Sequence, residues 1–375
     1  MFFIIFLQGL VFYGPIATLY RESRGISLSE IFIIESISWI LTMLLEVPWG
    51  WIADKFGYKR TLVISNFTFF ISKIIFFKSY TFSMFLLERV LLSISISGLS
   101  GCDTALLYTS LGQNENSEKI FGLYSSFSTI GFLAACIASY SIIDISMDTA
   151  AFLTIIPYGI ATIATLFISD TSKSSNKSNS ILYNLKVTFK NKQIIYIVVS
   201  FALISVVVQS VTVFLNQVQY IKSGIDVKYF GILLAINQII KLSASRSYKL
   251  SQKYGKLESI KIIYIAIGLS CIVLALISNN ILSIMLILII SLGISLASPM
   301  VVDIENKSIT IEDRATILSI YSMISSVISA CVSPVIGICA DISIELAFVT
   351  CFIICIMAYI ILKKQVFESN VKDSF

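Results

Sequence analysis

Charged residues stand inside stretches that are otherwise almost wholly apolar: Glu35, Glu46, Lys73, Glu88, Arg89 and Lys241. Each such group is costly in hydrocarbon, so it faces a partner or a water-filled cavity rather than lipid. On a helix, Glu35 and Glu46 return to the same face within about 20°, and Ser38 and Thr42 fill the stripe between them. Adjacent Glu88 and Arg89 point about 100° apart and so do not form one simple pair. The chain has no histidine. A partly desolvated carboxylate beside a cation can take up and release a proton, and here carboxylates are the ordinary candidates for that chemistry.

The elements that must hold these groups follow from composition. Hydrophobic residues make up 57% of the chain, charged residues 13%, and mean hydropathy is +0.90, which places it among integral membrane proteins. Apolar runs long enough to cross a bilayer as helices recur at 1–20, 29–49, 61–77, 82–107, 121–142, 149–168, 194–220, 229–248, 260–277, 281–302, 315–338 and 345–362. The expected fold class is therefore an all-α integral membrane protein of twelve transmembrane helices. Met1 opens directly into the first run with no basic stretch before it, so no removable signal peptide is expected. Pro15 and Pro157 are expected to bend the first and sixth helices. Glu35 and Glu88 both lie about six residues inside their runs, roughly 9 Å deep at 1.5 Å per residue, and should share a level. Lys73 could reach that level, although snorkelling to the surface is the favoured reading.

Basic residues are unevenly distributed between alternate loops. Lys55, Lys59, Arg60, Lys173, Lys177, Lys253, Lys256, Arg314 and the tail lysines fall on one side, against Arg21, Arg24, Lys78, Lys222 and Lys228 on the other. The positive-inside rule makes the first side cytoplasmic and puts the C-terminus there. The net charge of +5 reflects this asymmetry and implies no nucleic-acid partner. The seven cysteines lie in the apolar runs and read as small packing residues, with no disulfide and no metal site expected. No GxxxxGK[ST] stretch exists to cradle ATP, and no cofactor is implied.

Residues 170–193 break the apolar pattern with Ser, Asn and Lys. They divide the chain into a six-helix bundle over 1–169, a cytoplasmic loop over 170–193, and a second bundle with a short tail over 194–375. Within the break, Ile181, Leu182, Leu185 and Phe189 have the spacing of a short interfacial helix. An offset of 198 residues sets Asp54-Lys-Phe-Gly57 on Gln252-Lys-Tyr-Gly255, a weak internal repeat suggesting the same turn in two pseudo-symmetric halves. In the second half, Ser205, Gln209, Thr212, Asn216 and Tyr220, and then Asn237, Lys241, Ser245 and Tyr248, recur at helical spacing. Such faces suit a solute cavity or hydrogen-bonded contacts between helices.

The charged turn Gly50–Arg60, reading GWIADKFGYKR, carries the most specific signal. Gly50 and Gly57 would permit close approach and a tight turn, beside Asp54, Lys59 and Arg60. Together with twelve helices in two halves and a long central loop, this GxxxDxxGxxx+ pattern resembles the major facilitator superfamily of secondary transporters. The stretch Glu46-Val-Pro-Trp-Gly50-Trp-Ile-Ala-Asp54 is similar to a version found in bacterial drug or metabolite exporters, and Arg314-Ala-Thr-Ile-Leu-Ser319 resembles the start of their helix 11.

The resemblance implies alternating access between two six-helix bundles in the cell membrane, by a monomer that binds a small-molecule substrate and, for the exporters, protons. It implies a cytoplasmic gate in which Asp54 meets the start of helix 11 near Arg314, the free N–H groups and positive end of that helix attracting the carboxylate. Glu46, close to Pro48, takes a structural place near that gate. Because the fourth helix lines the cavity in this family, Glu35, Glu88 and Arg89 become proton-coupling candidates, with a static ion pair the alternative for Glu88 and Arg89. Gln209, Asn216, Asn237 and Lys241 become substrate-cavity candidates. Two departures weaken the exporter likeness: Ser93 replaces the glycine expected after Arg89, and the fifth helix has Gly131 without a Gly-Pro-rich signature. The leading expectation is proton-coupled export of small, partly apolar compounds. Uptake of a polar or anionic metabolite bound by Arg89 and Lys241, or a non-transporting receptor or scaffold, are the alternatives. An enzyme is not expected, for want of a nucleophile–base constellation.

Overall fold

The structure is a computed structural model that describes residues 1–110, 117–168, 192–307, 309 and 314–372. Among them, twelve helices are long and apolar enough to cross a membrane. They are α1 (Phe2–Ser23), α2 (Leu28–Phe56), α3 (Tyr58–Lys78), α4 (Phe82–Thr109), α5 (Ser117–Ile145), α6 (Met147–Leu166), α7 (Ile194–Lys222), α8 (Val227–Tyr254), α9 (Lys256–Leu276), α10 (Asn280–Lys307), α11 (Arg314–Ile342) and α12 (Ile344–Lys372). The expected interfacial helix around Ile181 to Phe189 lies outside the described residues. Contacts group the chain into one unit of Met1–Glu30, Ile37–Lys177 and Val227–Ala235, and another of Ile31–Ser36, Ser178–Asp226 and Ile236–Phe375.

Starts and stops follow local chemistry. α2 begins with a capping box in which the Glu30 N–H donates to Ser27 Oγ at 3.3 Å and the Ser27 N–H donates to Glu30 Oε2 at 2.9 Å. Thr81 and Ser146 cap α4 and α6 in the simpler one-sided way.

The charged turn between the second and third runs is shorter than the sequence suggested. α2 continues through Phe56 and α3 starts at Tyr58, leaving Gly57 alone at the corner with φ +89° and ψ 151°. No residue from Trp51 to Phe56 opposes the helix, so it runs on until a glycine-only conformation ends it. The corner between α8 and α9 repeats this at Gly255, with φ +79° and ψ 156°. Thr61 Oγ1 donates to the Gly57 carbonyl at 3.1 Å, and Ser259 Oγ donates to the Gly255 carbonyl at 2.6 Å. The weak sequence repeat thus marks two copies of one backbone corner.

The opposite helix ends are duplicated too. The Ile26 N–H donates to the Arg21 carbonyl and the Gly25 N–H to that of Glu22; the Ile225 N–H donates to Tyr220 and the Gly224 N–H to Ile221. These are paired Schellman-type stops for α1 and α7. Beside each stop an ion pair ties that helix to the last helix of its bundle, Arg24 with Asp148 on α6 and Lys222 with Glu345 on α12.

α1 breaks between Gly9 and Gly14, just before Pro15, as expected. An uninterrupted helix would join the Phe12 N–H to the Gln8 carbonyl. Instead Thr154 Oγ1 accepts from the Phe12 N–H at 3.0 Å, and Tyr158 OH donates to the Gln8 carbonyl at 2.7 Å. Both repairs come from one face of α6, four residues apart, so backbone groups that lipid could not satisfy are satisfied by a neighbouring helix. α6 itself runs unbroken through Pro157. α1 crosses α5 where a Cβ on Gly131 would lie 2.2 Å from the Phe6 carbonyl oxygen and one on Gly9 would lie 2.6 Å from that of Ser128. Glycine at both positions lets the two backbones touch.

Candidate functional site: a buried charge cluster and two free amides

In the first unit, charge collects beside the α1 break. Glu88 on α4 is 1% exposed, and its Oε2 lies 3.7 Å from Nη2 of Arg21, itself buried in the last turns of α1. Neither Glu88 oxygen accepts a hydrogen bond. The Arg21 guanidinium rests over Phe76 and Phe85, 5.4 and 5.9 Å from their ring centres. Arg89 is half-buried next along α4. Glu88 therefore pairs with Arg21 rather than with its neighbour, as the 100° separation along the helix requires.

Lys73 does not snorkel. It is 4% exposed, its Nζ donates to Tyr13 OH at 2.9 Å, and it lies 4.9, 5.0 and 5.4 Å from the ring centres of Phe69, Tyr158 and Tyr13. Tyr13 stacks on Phe76 at 4.0 Å, so one aromatic ring connects the lysine box to the Arg21–Glu88 pair. The sequence placed Arg21 in a loop and did not single out Tyr13. α1 in fact outlasts its apolar run by one turn and carries Arg21 inside.

The polar stripe on α2 divides. Glu35 is buried, within the segment Ile31–Ser36 that groups with the second unit. Ser38 shares a 2.7 Å hydrogen bond with Ser93 on α4, and Ser97 donates to the Thr42 carbonyl at 3.2 Å. Ser93, standing where the resemblance leads one to expect glycine, thus joins α2 to α4. Glu46 is exposed.

At the α2–α3 corner, Gly57 fills its expected role but Gly50 does not: it is exposed, and a Cβ there meets nothing within 4 Å. Lys59 is half-buried and Arg60 exposed. The side chains of Asp54 and Arg314 lie outside the description. Lys55 folds back over Trp51, 4.7 Å from the ring centre.

In the second unit, α7 contains a π segment, Ser210–Leu215, between α-helical stretches. Its wider turn shifts the phase of the remaining turns of α7, so Gln209, half-buried, and Asn216, buried, do not continue the regular stripe read from sequence. Asn216 and Asn237 on α8 are 8% and 3% exposed, and each has a buried Oδ1 with no hydrogen bond. By contrast, Gln219 is engaged, its Nε2 donating to Ser283 Oγ at 3.0 Å and to the Ile277 carbonyl at 3.3 Å. Lys241 is exposed at the end of an α-helical stretch of α8, where Leu242–Arg246 tightens into a 3₁₀ turn.

Comparison with known proteins agrees with this architecture. The family model described as Major Facilitator Superfamily matches residues 1–334. No curated protein matches. Among solved structures, a mutant of the nucleoside transporter NupG superposes with a TM-score of 0.84 at 16% identity, covering 97% of this chain and 98% of that one. A POT family transporter in complex with 5-aminolevulinic acid gives 0.74 at 14%, covering 96% and 94%. A bacterial homolog to the human lysosomal transporter Spinster gives 0.74 at 12%, covering 97% and 95%. A family match over most of the chain, on a fold of twelve membrane-length helices, establishes that this protein belongs to the Major Facilitator Superfamily and is a multi-pass secondary transporter rather than an enzyme.

Proposed function

We propose that the protein is a proton-coupled exporter of small, partly apolar solutes bearing hydrogen-bonding groups, working as a monomer by alternating access in the cell membrane. The observation that carries this reading is Glu88. It is a buried carboxylate that accepts no hydrogen bond and faces one guanidinium, that of Arg21, at 3.7 Å. In the proposed cycle a proton on Glu88 would break its pair with Arg21, and that change of contacts can be linked to a change of access. Glu35 and Arg89 complete the proposed coupling set.

Asn216 and Asn237 are the proposed solute contacts. A buried amide oxygen without a partner costs stability, and a solute donor would remove that cost. The nucleoside and 5-aminolevulinic acid named for the structural neighbours likewise join polar groups to a less polar frame. Outward direction rests on the exporter-like Glu46–Asp54 stretch, and a cytoplasmic-gate role for Asp54, Gly57, Lys59 and Arg60 rests on the same resemblance. The second reading is uptake of an anionic metabolite, for which Arg89 and Lys241 would be the binding cations.

Everted vesicles presented with a solute panel test these readings. Solute-dependent alkalinisation of the lumen, abolished in Glu88→Gln, is the expected result. An unchanged proton response in Glu88→Gln would remove Glu88 from the coupling set. Flux of an anionic solute without proton movement would establish the second reading instead. No solute flux in proteoliposomes, with Asp54→Asn tolerated, would leave a receptor or scaffold.

A further inference from the structure

The end of α8, before its corner with α9, gathers positive charge that the rest of the second unit does not neutralise. Arg246, Lys249 and Lys253 are all exposed, and among the described residues none of them is in an ion pair. At 100° per residue they fall within an arc of about 60°, so they present one face. The nearby acids are taken by other lysines: Asp303 on α10 pairs with Lys256 and Lys307, and Glu258 on α9 pairs with Lys261. The internal repeat accounts for the excess. Position 252 is Gln where the matching α2–α3 corner has Asp54, and the stretch from Lys241 to Tyr254 carries four basic residues and no acid.

This face stands at the membrane surface. α8 is 28 residues long, or about 42 Å at 1.5 Å per residue, some 12 Å more than the hydrocarbon layer, so its end enters the headgroup region. Lys249 and Lys253 lie there, and Arg246 reaches it with a long side chain. Exposed apolar and aromatic groups border the cations: Leu242, Tyr248 and Tyr254 are 67%, 53% and 47% exposed. Lys253 Nζ lies 4.9 Å from the Tyr254 ring centre. Tyr254 in turn lines a groove of about 450 Å³ whose apolar wall is Ile197, Leu257 and Ile304, and whose two charged residues, Lys256 and Glu258, are already paired. Cations, ring and apolar groove are thus contiguous.

We propose that Arg246, Lys249 and Lys253 bind the phosphate of one anionic phospholipid, with Tyr254 and the adjoining groove taking the first part of its acyl chains. Charge complementarity selects the headgroup: a zwitterionic lipid brings its own ammonium against three cations, whereas an anionic one brings only the charge they lack. The groove selects a lipid over a soluble anion, because an apolar wall attracts a hydrocarbon chain and not inorganic phosphate. Positive-inside counting puts this lipid in the cytoplasmic leaflet.

The test is a titration of dioleoylphosphatidylglycerol into the purified full chain in neutral detergent, with bound lipid counted by native mass spectrometry. At about 1 kcal/mol per basic residue, each charge removed should weaken binding about five-fold, and Lys249→Gln with Lys253→Gln together about 25-fold. Lys363→Gln with Lys364→Gln lowers net charge equally at exposed positions on α12 and should weaken binding far less. Lys249→Arg with Lys253→Arg should bind as wild type does, which separates lost charge from lost fold. Equal loss in both Gln pairs, or no loss in either, overturns the site. Equal affinity for dioleoylphosphatidylcholine overturns the choice of headgroup, and displacement of the lipid by millimolar inorganic phosphate overturns the lipid as occupant.

Discussion

Replacing Glu88 by Gln keeps the shape of the side chain and removes the charge facing Arg21. At 3.7 Å and an effective dielectric constant of about 20, the attraction lost is about 4.5 kcal/mol. Breaking a buried ion pair by deleting one partner costs about 3–5 kcal/mol, because the survivor stays buried without that counter-charge. Arg21→Met should cost a similar amount. In the double variant both charges of the pair are gone, so its cost should fall short of the summed single effects by roughly 3–4 kcal/mol. The cycle also cancels the other interactions of Arg21, which a single variant cannot do. Denaturant titration of the four proteins in one detergent, followed by tryptophan fluorescence, measures the coupling. A coupling below about 1 kcal/mol would refute the reasoning, since that is the value of a solvated surface pair.

The same substitution should have opposite signs at two open glycines. A Cβ at Gly255 or Gly50 meets nothing within 4 Å, yet Gly255→Ala must hold alanine at a glycine-only φ and ψ and should cost about 1–3 kcal/mol. Gly50→Ala, inside α2, should stabilise by about 0.5–1 kcal/mol, and thermal melts of both give the ordering. Gly131→Ala places a Cβ 2.2 Å from a backbone oxygen of α1 and should lower the melting temperature more than either. Asn237→Leu should leave stability level or raise it, by removing an unsatisfied buried oxygen, while weakening solute transport; flux assays on the folded variant separate the two effects.

Twelve spans were legible because hydrocarbon thickness imposes a length on every apolar run, and the corner at Gly255 was legible because its repeat preserves the one residue type that backbone geometry demands. The cluster around Glu88 was only half legible. Glu88 and Arg89 announced themselves as charges in an apolar run, but Arg21 sat beyond the apolar stretch of α1, and helix ends are not set by hydropathy. Lys73 was misread for a related reason: its box is built from Tyr13, Phe69 and Tyr158 on three helices, a convergence that no local pattern encodes. The phase slip in α7 was likewise invisible, since one widened turn has no composition of its own.

The mended break in α1 has a genealogical consequence. The donor and acceptor freed at Phe12 and Gln8 belong to the main chain and cannot mutate, while the Thr154 and Tyr158 hydroxyls that answer them can. A descendant losing either hydroxyl inherits an unmet backbone group in hydrocarbon, which selection would tolerate only alongside a change near Pro15 that closes the helix. Positions 15, 154 and 158 should therefore drift together, and Tyr13, whose direction depends on that interruption, should drift with them.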